Sequence, residues 1–111
     1  MTSCKQGEGI IMGWAKYAME KLQRGEIAKI HPRGDSMTGK VNDGDFVTLE
    51  PCNPDDLDVG DVVLVRVRGQ IYLHLIKAKS KGRFLIGNNR GGTNGWVNGK
   101  AIYGVATRIE P

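Results

Sequence analysis

The stretch that decides the fold is residues 34–37, Gly-Asp-Ser-Met, followed by residues 41–45, Val-Asn-Asp-Gly-Asp, and residues 46–49, Phe-Val-Thr-Leu. The last four residues are mostly of the β-branched and aromatic types that favour strands. Ser36 lies between apolar runs and is flanked by glycine and aspartate, which is the composition of a turn. We therefore predict that Ser36 lies on a turn leading into a sheet that holds its side chain still.

The composition indicates one globular domain with a single core. The chain has 111 residues, of which 25% are charged and 40% are apolar, an ordinary balance for a soluble protein. Sixteen glycines occur without a fixed period, which favours many turns and short strands. The predicted fold is mainly β: residues 1–26 form a segment with an amphipathic helix, and residues 27–111 form an antiparallel β domain.

One helix is expected at about residues 9–24. Apolar residues recur there at helical spacing, and a wider set extends the same face: Ile11, Ala15, Ala18 and Leu22, with Ile10, Trp14 and Tyr17. Gly25 stands where a left-handed cap ends a helix. The helix is predicted to pack on the sheet; the alternative is a docking helix, with Trp14 and Met19 as anchors in a partner's groove.

After Gly25 the apolar period becomes that of strands, and six strands are predicted. They are Ala28–His31, Phe46–Glu50, Asp61–Val67, Gln70–Lys77, Arg83–Ile86 and Ala101–Ile109. Arg68-Gly69 forms a tight hairpin turn, and residues 79–82 form a second turn. Residues 52–59 are expected to be an exposed loop. Residues 87–100 contain five glycines and four asparagines, so we predict a long irregular loop there.

Ser36 and His74 are the candidate chemical pair. A serine hydroxyl is a weak nucleophile until a base within hydrogen-bond reach removes its proton. His74 is the one histidine inside a strand pattern, while His31 precedes Pro32 at the entrance to the serine turn. A histidine in an apolar strand and a serine in a glycine-rich turn can both be structural, so the residues define a candidate dyad and no more.

Other functions are weakly supported by the residues. Residues 34–40 match a phosphate-binding loop, but Val41 cannot supply the hydroxyl that holds magnesium. Neither the aspartates nor the two cysteines have metal-ligand spacing, and no metal or cofactor is expected. The net charge of +4 is not clustered, apart from Lys77, Lys79, Lys81 and Arg83. No aromatic residue interleaves with that patch, so direct nucleic acid binding is not expected.

Localisation is expected to be cytoplasmic. The apolar runs are far shorter than the roughly 20 residues that span a bilayer. The N-terminus lacks the pattern of a secretory signal, and Cys4 and Cys52 are expected to be free thiols.

Five segments together resemble the LexA/UmuD peptidases and the type I signal peptidases. The first is residues 34–45, whose Gly-Asp-Ser-Met and Asp-Gly-Asp are similar to the nucleophile segment of those enzymes. The others are residues 60–65, the histidine strand at 69–76, residues 84–89 and the closing strand at 103–106. The resemblance covers about residues 28–109.

By this resemblance Ser36 is the nucleophile, and the backbone N–H groups of Asp35 and Ser36 form the oxyanion hole. His74 stands where LexA and UmuD carry the lysine base. Eukaryotic and archaeal signal peptidases have a histidine at the same position. Asn88 stands where that branch has an aspartate, and is predicted to orient the imidazole.

The resemblance implies a soluble serine endopeptidase that acts on an extended peptide or protein. No helix-turn-helix domain, membrane anchor, or Ala-Gly or Cys-Gly self-cleavage bond is seen, which favours a stand-alone domain. Its origin, host or phage, is left open. The alternative is a catalytically inactive interaction module similar to processed UmuD, which dimerises and binds a DNA polymerase; a homodimer is open in either case.

Overall fold

The computed structural model describes residues 7–32, 41–42, 44–89 and 91–111, with side chains of the helix described from Trp14 onward. The elements are α1 (Gly7–Gln23), β1 (Ala28–Ile30), β2 (Phe46–Glu50), β3 (Val62–Val67), β4 (Gln70–Ser80), β5 (Arg83–Gly87), β6 (Thr93–Asn98) and β7 (Ile102–Glu110). This arrangement of one N-terminal helix and seven strands confirms the predicted mainly β fold.

All the strand pairs are antiparallel, and the strands form one sheet in the order β1-β2-β7-β3-β4-β5-β6. Both hairpin turns use two residues with left-handed backbone. They are Arg68-Gly69, with φ of 51° and 83°, and Lys81-Gly82, with φ of 51° and 79°. Positive φ at both turn positions matches the twist of paired strands, so these two turns fix the registers of β3 with β4 and of β4 with β5.

The sheet carries a hydrophobic cluster on each face. The helix-side core contains Ala18, Leu22, Ala28, Ile30, Val41, Val47, Leu49, Val62, Leu64, Leu73 and Leu75. The far-side core contains Leu57, Val63, Val65, Val67, Ile76, Phe84, Ile86 and Ile102. Because side chains alternate between faces along a strand, β3 and β4 contribute to both clusters.

The helix packs on the sheet, as predicted. Ala15, Ala18 and Leu22 are buried, and Trp14 and Met19 pack against the helix-side core. Gly25 has φ +79°, and the N–H groups of Gly25 and Glu26 donate to the carbonyls of Leu22 and Lys21. This pair of bonds is a Schellman cap. Placing Tyr17 on the buried face was wrong: its side chain is 48% exposed, and the Lys21 ammonium lies 5.5 Å from the centroid of its ring.

The prediction of an irregular loop over residues 87–100 was wrong, because β6 lies within it and pairs with β5. Glycine and asparagine hide this strand from pattern analysis, since both are depleted in strands. The segment predicted as an exposed loop, residues 52–59, contains a 3-10 turn at Pro54–Asp56. Leu57 is not exposed: its side chain lies in the far-side core and is 2% exposed.

Gly87 connects β5 to β6 where the backbone leaves no room for a side chain. A Cβ atom there would lie 2.3 Å from the Gly92 carbonyl oxygen and 3.1 Å from two carbons of Lys77. Any larger residue therefore has to displace backbone as well as side chain, which makes the start of the β5–β6 connection intolerant of substitution.

We expect Gly87→Ala to lower the free energy of unfolding by at least about 1–3 kcal/mol, because overpacking against backbone has few ways to relax. Urea denaturation measures the change. Gly82→Ala is the matched control: it meets no atom within 4 Å and carries only the cost of its left-handed backbone. Unchanged stability in Gly87→Ala would contradict the close approach of Gly92.

Within the described residues, no helix is long and apolar enough to cross a membrane.

Candidate active site

His74 lies in the middle of β4 and is almost completely buried, with 6% of its surface exposed. It pairs with Val63 of β3. Its neighbours Leu73 and Leu75 belong to the helix-side core, so strand alternation directs the imidazole toward the opposite face. A polar ring in this apolar setting needs hydrogen-bond partners of its own.

Asn94 is the described hydrogen-bond partner of the ring. Its Oδ1 lies 2.7 Å from His74 Nδ1. An amide oxygen can only accept, so Nδ1 carries the hydrogen and donates it. In a neutral imidazole the other nitrogen, Nε2, is then the one with the lone pair. The contact therefore selects the tautomer in which Nε2 can accept a proton.

A β-bulge brings Asn94 to this position. In the β5–β6 ladder, Ile86 pairs with Gly95, whereas Gly87 pairs with Thr93. Between these two pairs β5 has no residue and β6 has one, Asn94, so Asn94 is the extra residue of the bulge. Bulges bend a strand and redirect a side chain, and here Gly95 has φ +133°, a backbone angle that favours glycine.

Tyr72 forms one wall of the histidine site. Its ring stacks on the imidazole with centroids 4.8 Å apart and planes 22° from parallel. The two residues are two positions apart on β4 and so share a face. The phenolic oxygen donates to Gln70 Oε1 at 3.3 Å. The imidazole is therefore fixed by an in-plane hydrogen bond and by an aromatic ring against its face.

Burial lowers the pKa of His74 below its usual 6.5, and the hydrogen bond to Asn94 raises it by a smaller amount. Desolvation disfavours the charged imidazolium, while an acceptor on Nδ1 favours it. The net effect keeps His74 neutral at neutral pH. A neutral imidazole with Nε2 as the acceptor is the protonation state that a general base requires.

This lowered pKa predicts how stability depends on pH. Above 6.5 His74 is neutral in both the folded and unfolded states. As the pH falls below 6.5, His74 takes up a proton in the unfolded state before it does so in the folded state. The free energy of unfolding therefore decreases between pH 6.5 and the lower pKa of the folded state. We expect the unfolding free energy of wild type, minus that of His74→Gln, to decrease on acidification from about pH 8 to pH 5.

Urea denaturation across that range measures the difference. His31 is present in both proteins and cancels. A difference that stays flat or grows on acidification would contradict a lowered pKa at His74.

The serine segment, residues 32–45, is held by contacts at both of its ends. His31 follows β1, Phe46 begins β2, and their rings stack with centroids 4.5 Å apart. Asn42 N donates to Asp45 Oδ2 at 2.8 Å, and Asp45 N donates to the Asn42 carbonyl oxygen at 3.0 Å. These contacts close the turn that precedes β2, so the chain enters and leaves the serine segment at fixed points.

Ser36 and Asp35 lie outside the described residues, as does Cys4. The roles predicted for Ser36 as nucleophile, and for the N–H groups of Asp35 and Ser36 as an oxyanion hole, stay predictions. Cys52 is a free thiol whose pKa is raised, first by burial and then by Asp61 and Asp56.

Asn88 lies in the connection between β5 and β6. Its backbone N–H donates to the Gly92 carbonyl oxygen at 3.0 Å, and its Oδ1 accepts from Gly92 N at 2.9 Å. Both bonds close the turn that leads into β6. Orientation of the imidazole by Asn88 stays a prediction, while the residue seen on His74 Nδ1 is Asn94.

Sequence reasoning missed Asn94 because it treated residues 87–100 as one loop. The available signal was Trp96-Val97, two strong strand formers next to Asn94-Gly95. Even a correct strand assignment would not have found the bulge, which depends on the register with β5. The partner of His74 is therefore a long-range consequence of pairing.

The Peptidase S24-like family model matches residues 13–105. The chain belongs to this family, which includes LexA and UmuD, and the match confirms that part of the predicted resemblance. No curated protein matches the chain.

Proposed function

We propose that this S24-like domain is a serine endopeptidase in which Ser36 attacks the scissile carbonyl and His74 acts as general base. The observation that carries the proposal is the state of His74: buried, neutral, and held by Asn94 with Nε2 as the accepting nitrogen. A base for a serine hydroxyl needs this tautomer, because the nitrogen that takes the proton has to carry the lone pair.

In the proposed reaction, Nε2 takes the Ser36 proton as Oγ bonds to the carbonyl carbon. The backbone N–H groups of Asp35 and Ser36 then stabilise the oxyanion. The imidazolium passes its proton to the leaving amine, giving an acyl-enzyme that water hydrolyses. The use of histidine where LexA and UmuD carry lysine is supported by the resemblance to eukaryotic and archaeal signal peptidases.

The proposed substrate is an extended segment of a peptide or protein that adds to an edge of the sheet. In the sheet order, β1 and β6 are the terminal strands. β1 ends at Ile30, and the serine segment begins a few residues later. We assign β1 as the substrate edge, because it is the terminal strand that directly precedes Ser36 in the sequence.

Labelling with a fluorophosphonate tests the nucleophile. The wild-type protein should be labelled and Ser36→Ala should not, because the reagent bonds to an activated serine oxygen. Ser80→Ala is the matched control, since Ser80 is an exposed serine on β4 and its loss should leave labelling unchanged. Labelling that survives Ser36→Ala but not Ser80→Ala would contradict the assignment.

The alternative is an inactive, UmuD-like interaction module, a cytoplasmic homodimer of phage origin. One observation favours it: the partner on His74 Nδ1 is a neutral amide, which cannot offset the charge of an imidazolium as a carboxylate does. Absence of labelling in properly folded wild-type protein would select this module over the peptidase.

A further inference from the structure

A shallow groove at the end of the β4–β5 hairpin brings an aromatic ring to a basic patch. Ser80, Lys81, Arg83 and Trp96 line it, and its volume is about 210 Å³. That is less than the roughly 300 Å³ at which small-molecule pockets begin. The groove is thus suited to part of a polymer lying along the surface.

The strand registers build the groove. Ser80 pairs with Arg83 across the hairpin, and Leu85 pairs with Trp96 across β5 and β6. Arg83 and Leu85 are two positions apart, so the side chains of Arg83, Ser80 and Trp96 share a face. In the sequence, Trp96 lies 13 positions beyond Arg83, which explains why the patch seemed to lack an aromatic residue.

The groove and the histidine site lie on opposite faces of the sheet. Ile76 pairs with Ile86, and both belong to the far-side core toward which His74 also points. Leu85, adjacent to Ile86, and its partner Trp96 therefore face the other way. A ligand in the groove would not occupy the surroundings of His74.

Two cations and an indole face are available in the groove. Lys79 already donates to the Leu57 carbonyl oxygen and lies 3.6 Å from an Asp58 carboxylate oxygen. Among the described residues, the ion pairs do not include Lys81 or Arg83. Trp96 is 44% exposed, so part of the indole is accessible to a ligand in the groove.

We propose that this groove binds single-stranded nucleic acid, with one base stacked on Trp96 and the adjoining phosphates at Lys81 and Arg83. An unpaired base and its phosphate use both kinds of lining group, since bases stack on aromatic rings and phosphates pair with cations. An acidic peptide would use the two cations but has no flat π-face for the indole. A duplex keeps its bases stacked on one another and offers nothing to Trp96.

Fluorescence anisotropy with a labelled single-stranded DNA of about 12 nucleotides tests the proposal. With two phosphate contacts, a plot of the logarithm of the association constant against the logarithm of the salt concentration should have a slope of about −1.4. Trp96→Ala should weaken binding at least about fivefold, the lower limit for one base–aromatic stack. A duplex of equal length and poly-glutamate should bind more weakly than the single strand.

Two substitutions on the helix and β1 serve as matched controls. Tyr17→Ala removes an exposed ring beside a lysine, and Lys29→Glu reverses an exposed charge; both should leave binding nearly unchanged. Lys81→Glu should weaken it and make the slope shallower. Because the chain has two tryptophans, Trp14→Phe leaves Trp96 as the only one, and single strands should quench its fluorescence.

Equal binding by Trp96→Ala and wild type, with no quenching of Trp96, would overturn the proposal. Tighter binding of poly-glutamate than of the oligonucleotide would overturn it in favour of an acidic peptide. Neither readout involves Ser36 or His74, so failure here is distinct from failure of the peptidase.

Discussion

His74→Gln should react with a fluorophosphonate about 10²- to 10⁴-fold more slowly than wild type, the range that a positioned general base contributes. Glutamine keeps a polar side chain on β4 but has no nitrogen that accepts a proton near neutral pH. The second-order rate constant of labelling measures the loss. In wild type this rate should fall as the pH drops below 6.5, through the lowered pKa of His74.

The variant should lose that pH dependence, because the group that titrates is gone. His31→Gln is the matched control: His31 is the other histidine, is exposed, and stacks on Phe46. It should lower the rate only modestly, through the lost stacking on Phe46, and should leave the pH dependence unchanged. If His31→Gln removed the pH dependence and His74→Gln kept it, the base would be His31 and the assignment of His74 would be wrong.

Asn94→Asp should raise the labelling rate at neutral pH at least about tenfold. A carboxylate 2.7 Å from Nδ1, where the amide oxygen now lies, would stabilise the imidazolium that forms as Ser36 attacks. In the chymotrypsin-type triad, asparagine in place of aspartate lowers kcat about 10⁴-fold because it holds the wrong imidazole tautomer, whereas Asn94 Oδ1 already selects the tautomer that a base needs. We expect less here, because the new carboxylate is itself partly buried and loses solvation.

The same substitution should raise the pKa of His74, since a neighbouring negative charge favours the protonated ring. Both the pH profile of labelling and the NMR titration of the imidazole report that shift. Asn88→Asp is the control, at the position that the family resemblance selects. A larger rate increase from Asn88→Asp would support orientation of the imidazole by Asn88 and contradict that role for Asn94.

Local patterns predicted most of the fold. The helix and its glycine cap follow from apolar spacing and from Gly25, and the two hairpin turns follow from a glycine, Gly69 or Gly82, between two strand-like runs. Strands rich in valine, isoleucine and leucine were found to within a few residues. These features succeed because each is determined by residues that are neighbours in the chain.

Apart from Tyr17 and Leu57, the failures involve the pairing and register of strands. β6 was missed because glycine and asparagine give it little strand character, and its stability comes from the ladder with β5. The same ladder brings Asn94 to His74 and Trp96 to Lys81 and Arg83. In the candidate site, the sequence identified His74 from its position in an apolar strand, but its partner depends on register, which no local pattern reports.

The bulge at Asn94 makes the chemistry of the site depend on the length of a strand as well as on its residues. Deleting one residue from β6 would restore uninterrupted pairing with β5 and turn the amide toward the other face of the sheet. Inserting one residue would enlarge the bulge and also displace the amide from His74. Although its composition resembles a surface loop, which usually tolerates changes in length, β6 must keep its residue count for His74 to keep its tautomer.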